Sequence, residues 1–399
     1  MTSLARRWAA WTAGLPAVFW SLWVGTLITK AGTFVVPLMF IYLTQERGLS
    51  LSVGGNVVGL YGLGSLLGTL LGGAAADRVG RRATMLASLV SGAGFLLALG
   101  AARGVGSLAA LAFLLGLSSE AYRPAAQALV ADVVPPALRM RAFGLQYWAV
   151  NLGFSFAAVV GGFMARRNFH ALFVADALTT LALAGIIWSR VPESRPESPS
   201  RAQGSLLSPF LDRRYLPFLV LNFLVVLVFF QHLTALPEDM RRKGLTTEHF
   251  GLAVATNGVL IVLLQPTLTR WLAAVPRPTL LAAASTLTGV GFGLTALART
   301  LPGYMLTVAL WTVGEIIFAP VNASLVADLS PAHLRGRYQG AFGLTWSLGA
   351  MLSPVLGPRL IQATSPRAFW LGCLALGLAT ALAHLTVLVR VLPRRGATP

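Results

Sequence analysis

Four ionisable side chains, Lys30, Glu120, Arg123 and Glu315, stand inside long apolar runs of a 399-residue chain. A charge at the centre of a bilayer costs at least ~2.5–3.5 kcal/mol on insertion scales, so each needs a partner, a watery cavity or a task. Glu120 and Arg123 are three residues apart, close enough to interact along one helical face. Two readings follow: a self-neutralising pair that lets a polar helix sit in lipid, or a carboxyl whose proton affinity changes with its distance from the guanidinium. Glu315 reads as a substrate or proton ligand, or as the buried partner of Lys30. Lys30 in turn could bind an anionic group or neutralise an acid across a cavity. His232 and Gln231 are the polar pair of another apolar run. Histidine titrates near physiological pH, which allows a proton role beside the plainer one of polar packing. Tyr122, Trp311 and Phe318 lie near these charges in sequence and offer large apolar faces, although membrane aromatics commonly serve as packing or interface anchors. Asp176, nearer the end of its run, is read as a solvated end-of-helix residue.

The elements that must carry these groups follow from composition. With 56% hydrophobic and 11% charged residues the chain has too little polar surface for a soluble or disordered protein. Its net charge of +18 comes from basic residues scattered singly or in pairs between apolar runs, which leaves no nucleic-acid footprint. Twelve membrane crossings are expected, at 17–43, 52–76, 83–102, 106–132, 142–165, 169–189, 216–239, 247–270, 278–298, 302–328, 339–363 and 368–391, each long enough for ~30 Å of hydrocarbon. The fold class is therefore all-α and polytopic. Lys and Arg divide 19 to 10 in favour of the side that carries both ends, with Lys30 and Arg123 inside crossings. By the positive-inside rule both termini are cytoplasmic, in a multi-pass protein of the inner cell membrane. Arg6 and Arg7 precede an apolar run without a convincing cleavage site, so that run is read as crossing 1. The Pro-, Ser-, Glu- and Arg-rich stretch from Val191 to Ser208 reads as a linker, giving a first bundle at 1–190, a linker at 191–215 and a second bundle at 216–399. The single cysteine, Cys373, excludes an intrachain disulfide or a cysteine metal cluster. There is no nucleotide-phosphate loop, no HExxH and no His/Cys metal spacing, so no metal, cofactor or enzymatic activity is expected. An ion gradient or the solute's own gradient remains as the energy source.

The halves repeat. Pro124, Leu129, Val130, Ala131, Asp132, Pro135, Leu138, Arg139, Arg141, Gly144, Gly153 and Gly161 recur 196 positions later as Pro320, Leu325, Val326, Ala327, Asp328, Pro331, Leu334, Arg335, Arg337, Gly340, Gly349 and Gly357. Crossing 4 is thus equivalent to crossing 10, and crossing 1 to crossing 7. Between crossings 2 and 3 lies the tight basic loop Gly73-x-x-x-Asp77-Arg78-x-Gly80-Arg81-Arg82. This spacing resembles the signature between helices 2 and 3 of the major facilitator superfamily, and every fixed position is present. The second copy, due in loop 8–9, keeps only fragments such as Arg270 and Arg277.

The resemblance implies two pseudo-symmetric six-helix bundles, with helices 1, 4, 7 and 10 lining a central cavity, and a monomer as the family default. It also implies that Asp77 and its neighbouring arginines make cytoplasmic contacts that hold the outward-facing state. The repeat-related Asp132 and Asp328, each followed by arginines (Arg139 and Arg335), read as gate or loop-ordering groups. Crossing 2 carries Gly64, Gly68 and Gly72, small residues that admit a close helix. In the family that face lies beside helix 11, here bearing Gly343, Gly349 and Pro354. Arg123 resembles the helix-4 arginine that serves proton coupling in drug–proton antiporters. The functional expectation is a proton-coupled exporter of drug-like or amphipathic small molecules. Ala157-Ala158 stand where such antiporters carry Gly-Pro before a glycine pair, here Gly161-Gly162. That departure keeps open transport of a defined metabolite such as a sugar, organic acid or amino acid. A non-transporting receptor or scaffold is the reading from another class.

Overall fold

Lipid offers no partner for a backbone N–H or C=O, so a chain of long apolar runs satisfies those groups internally by becoming helical. The computed structural model describes residues 14–135, 138–193, 207–272, 275–331 and 334–389. Positions 194–206 of the expected linker, the N-terminal Arg6 and Arg7, and the side chains of Asp77, Arg270 and Arg335 lie outside the described residues. The crossings run Ala17–Glu46, Leu51–Arg78, Arg81–Ala101, Val105–Val133, Arg139–Arg167, Phe169–Arg190, Tyr215–Leu233, Thr247–Leu272, Arg277–Leu294, Leu301–Leu329, Arg335–Ala363 and Pro366–Leu388. Among the described residues, ten helices are long and apolar enough to span a membrane. Arg277–Leu294 and Arg335–Ala363 complete the twelve, the latter with Pro354 and Pro358 inside it. The chain is a multi-pass membrane protein of two six-helix bundles.

Crossings 2 and 3 are joined by a turn that needs its glycine. Gly80 has φ 117°, in the left-handed region. A Cβ there would also strike the carboxylate of Glu193. That carboxylate accepts the backbone N–H groups of Arg82 and Ala83 at 3.0 Å each, so the residues just after crossing 6 cap the start of crossing 3.

The glycines of crossing 2 divide between two faces. A Cβ on Gly64, Gly68 or Gly72 would run into the backbone of Phe113, Leu117 or Ala121 on crossing 4. The expected contact of this row with crossing 11 is therefore corrected, because it builds the inside of the first bundle. A different row, Gly55, Gly59 and Gly62, meets Pro354, Met351 and Ala350 of crossing 11. Of the partners expected there, Gly349 faces Val226 and Phe230 on crossing 7, and Gly343 has nothing within 4 Å.

The two bundles join along crossings 2 with 11 and 5 with 8. Gly251 sits against Ala158 and Gly162, and Gly258 against Asn151 and Ser155. Two polar latches close the face opposite the basic loop: Arg166 pairs with Glu248 at 3.0 Å, and Arg359 donates to Asn56 at 3.0 Å. Toward the basic loop the bundles separate. A Cβ added at Gly144, Gly340 or Gly343 would meet nothing within 4 Å. The molecule is thus closed at this distal face and splayed at the face of the loop signature.

Beyond crossing 7, the helix Ala235–Arg242 continues onto the distal face. Glu238 is buried there and accepts from Arg241 at 2.8 and 2.9 Å and from Arg242 at 2.7 Å. Burial alone would raise its carboxyl, but these bonds outweigh it and hold the group below its ordinary value of 4.5. A carboxyl depressed on folding gives stability that is complete above the unfolded value and is lost as pH falls through the folded one.

Thermal unfolding in detergent checks both features. Gly68→Val is expected to destabilise by about 1–3 kcal/mol, the usual cost of overpacking. Glu238→Gln is expected to lose about 1–3 kcal/mol at pH 7, the range of a hydrogen bond to a charged group. The variant will also lose less than the native chain on acidification below pH 4.5.

Candidate functional site

Crossing 1 is not one helix. Ala17–Ala31 ends, and the chain resumes as a helix at Val35. Gly32 marks the break, since a Cβ there would overlap the Thr179 side chain on crossing 6. Such a break takes backbone amides out of the helical ladder, and Asp176 accepts from two of them, sharing the Phe34 N–H with the Gly32 carbonyl at 2.9 Å. One of its oxygens, Oδ2, accepts the N–H groups of Phe34 and Val35 at 3.1 Å each. Asp176 is 4% exposed, so the expectation of a solvated helix end is overturned. Crossing 7 breaks in the matching place, with a short 3-10 turn beginning at Phe230, 196 residues after Phe34.

Beside the break lies a cavity of about 100 Å³ inside the first bundle, lined by Lys30, Tyr61, Ser118, Glu120, Tyr122 and Asp176 among others. The sequence reading placed Lys30, Glu120 and Tyr122 at a central cavity lined by crossings 1, 4, 7 and 10; the structure brings the three together on the lining of this cavity, which is formed by the first bundle alone. Lys30 has no carboxylate within ion-pair distance among the described residues. Arg123 approaches Glu120 at 3.9 Å, with side chains 69% and 31% exposed respectively. That contact is long and wet, which makes it a weak pair by the measure of exposed ion pairs. Glu120 therefore meets water from the splayed side and the polar wall from the other.

Glu315 lies apart, in the second bundle. Asn257 on crossing 8 donates to its Oε2 at 2.6 Å and to the Thr312 hydroxyl at 3.0 Å. The hydrogen-bonding partner of Glu315 is thus Asn257, which the sequence reading did not single out. His232 Nδ1 is 2.7 Å from the Phe229 carbonyl, and its ring is sandwiched between Phe230 and Trp311 at 6.1 and 5.9 Å. Trp311 stacks in turn on Phe292. Gln231 donates to the Leu227 carbonyl at 3.2 Å. Phe318 lies in the apolar core of the second bundle with Tyr215 and Phe218. These four belong to the packed interior of that bundle and not to the wall around Lys30.

At the signature face the charges organise each bundle internally. Arg81 pairs with Asp132, and Arg277 pairs with Asp328, two ion pairs related by the same 196-residue shift. Loop 8–9 has lost the signature's wording but keeps its ion pair. Arg82 donates to the Trp188 carbonyl at 2.6 Å and lies over that indole at 4.9 Å. Arg139 Nε donates to the Val134 carbonyl at 3.2 Å, Gly73 lies against Pro124, and Arg78 is exposed. Two inter-bundle latches lie on the distal face, Arg166 with Glu248 and Arg359 with Asn56, and the sequence reading missed both. Their signal was a lone charged residue at a helix end facing the other bundle, legible only with the bundles assembled.

Comparison with known proteins agrees with this architecture. The model of the Major Facilitator Superfamily matches residues 22–246 and again 218–399. A Na(+), Li(+), K(+)/H(+) antiporter of Planococcus maritimus is 26% identical over 365 residues, covering 81% of this chain and 84% of the relative. Multidrug resistance protein MdtH of Aeromonas salmonicida is 24% identical over 368 residues, covering 90% and 91%. A POT family transporter crystallised with a thioalcohol-conjugated peptide superposes with a TM-score of 0.83 at 14% identity, over 96% of this chain and 98% of that one. Two bundles, a repeat of 196 residues, the loop signature and a match along nearly the whole chain lead to one conclusion: this protein belongs to the Major Facilitator Superfamily, a family of transporters.

Proposed function

We propose that the protein is a proton-coupled secondary transporter that exports drug-like or amphipathic small molecules across the inner cell membrane by alternating access. Both termini are cytoplasmic in this reading, which makes the splayed face the cytoplasmic one, and the protein works as a monomer. The observation that carries it is Glu120, half-wet and weakly paired, on the wall that also holds Lys30 and Asp176. When the bundles close over the signature face, Glu120 leaves water. A proton and a cationic or polar substrate group are then alternative partners for its carboxylate. Proton and substrate thus compete for one carboxylate, which is the requirement for exchange. Glu315, held by Asn257 within the second bundle, serves as the substrate contact of that bundle. Asp176 serves as a cap, since both amides that it binds are needed to keep crossing 1 broken. The antiporter and multidrug relatives support this reading over that of a scaffold.

The test is proton movement in proteoliposomes under a panel of solutes that includes both amphipathic cations and small metabolites. Glu120→Gln is expected to lower solute-triggered proton flux at least about tenfold, the factor set by loss of a 1.4 kcal/mol interaction. Asp176→Asn retains an oxygen acceptor and should keep flux within about twofold while lowering stability by about 1–3 kcal/mol. Solute movement without proton flux, unchanged in Glu120→Gln and Glu315→Gln, would leave a uniporter. Flux that responds to one metabolite alone would replace the export reading with a defined nutrient.

A further inference from the structure

On the distal face, five of the ten lysines and arginines have side-chain partners. Arg166 has Glu248, Arg241 and Arg242 share Glu238, Lys243 has Asp239, and Arg359 has Asn56. Among the remaining basic side chains, two arginines and a histidine converge on one place. Arg47 at the end of crossing 1, Arg103 between crossings 3 and 4, and His170 in the first turn of crossing 6 line a single cavity of about 450 Å³. No carboxylate among the described residues forms an ion pair with any of them, and Glu46, next to Arg47 in the chain, is not on the wall. Arg47 is fixed there, because one guanidinium nitrogen donates to the Ala102 carbonyl while the group lies 5.9 Å from the Tyr42 ring centroid.

The rest of the cavity wall is apolar. Gly100 and Ala101 form its back, with Phe173 pressed so close to Gly100 that a Cβ would meet its ring at 2.9 Å. Leu97 on crossing 3 and Val174 on crossing 6 lie on the lining and are 45% and 48% exposed. Below them on the same helices, Val90 and Leu178 are exposed as well. The cavity therefore has a basic roof at the membrane surface and, below it on crossings 3 and 6, exposed apolar side chains. A small anion would use the roof and leave the apolar surface uncovered. A lipid would use both.

We propose that this cavity binds an anionic phospholipid of the distal leaflet, its phosphodiester held by Arg47, Arg103 and His170 and an acyl chain laid along Leu97 and Val174. Basic residues at a leaflet surface attract anionic headgroups by a charge-dependent amount, about fivefold in affinity for each charge. The site lies wholly in the first bundle, away from the cavity around Lys30, and does not depend on what the protein transports.

The experiment uses the full-length protein in detergent, titrated with phosphatidylglycerol, phosphatidylcholine or inorganic phosphate, with bound lipid counted by native mass spectrometry and stability read by thermal unfolding. Arg103→Gln with His170→Gln removes two roof groups and leaves the Arg47 bond to Ala102 in place. A double control, Arg299→Gln with Arg367→Gln, removes two distal charges elsewhere. Phosphatidylglycerol is expected to stabilise the native chain and the control equally, and to bind the roof variant about five- to thirtyfold more weakly. The proposal is overturned if the roof variant, folded by its own unfolding transition, keeps the full lipid effect, or if the control loses as much. It is also overturned if phosphatidylcholine matches phosphatidylglycerol, or if inorganic phosphate alone reproduces the whole gain.

Discussion

Everything in this molecule that departs from a straight apolar helix has had to find a partner for its backbone without water. The sharpest case is the break after Ala31, where a helix passing through lipid gives up its ladder and one carboxylate answers two freed amides. An ionised or neutral carboxyl at that depth is costly in isolation. Here it sits where the peptide dipoles of a restarting helix supply partial positive charge. The break and the buried oxygen acceptor at position 176 are therefore one feature. Glu193 does the same work at the start of crossing 3, outside the apolar runs.

The bundles are internally tight and mutually loose in a graded way. Within the first bundle, backbones of crossings 2 and 4 touch through Gly64, Gly68 and Gly72, where dispersion contacts are dense and any added methyl must displace main chain. Between the bundles, glycines again allow close approach, but only on the distal half of the membrane. Ion pairs follow the same division at the loop-signature face. Arg81 with Asp132 and Arg277 with Asp328 stitch loops to their own bundle, which lets each bundle move as a body.

The periodicity of apolar runs and the 196-residue repeat made the fold legible in the sequence, because both are set by lipid thickness and by duplication rather than by detail. The wall around Lys30 was partly legible: charge inside an apolar run is visible in one dimension. Asp176 was misread because its distance from the helix end suggested water, while its true surroundings are set by a break in another helix. Asn257 escaped for a similar reason, since an amide on crossing 8 gains meaning only beside Glu315. The glycine row of crossing 2 was correctly seen as a close-packing face and assigned to the wrong neighbour, for spacing tells that a helix approaches but not which one. The second loop signature seemed lost in sequence because its glycines and aspartate are gone, yet the one pair with a structural duty persists.

The latch between Arg166 and Glu248 joins a guanidinium that is 70% exposed to a carboxylate that is 14% exposed. Such a solvent-reached pair is weak, and dissolved ions screen it over about 8–10 Å at physiological strength. In the proposed alternating-access cycle, the barrier to opening the distal face would be set in part by the salt of the medium on that side. In that cycle a cell in brine and one in fresh water would hold the same transporter at different resting positions, without any change in its cargo or its cavity.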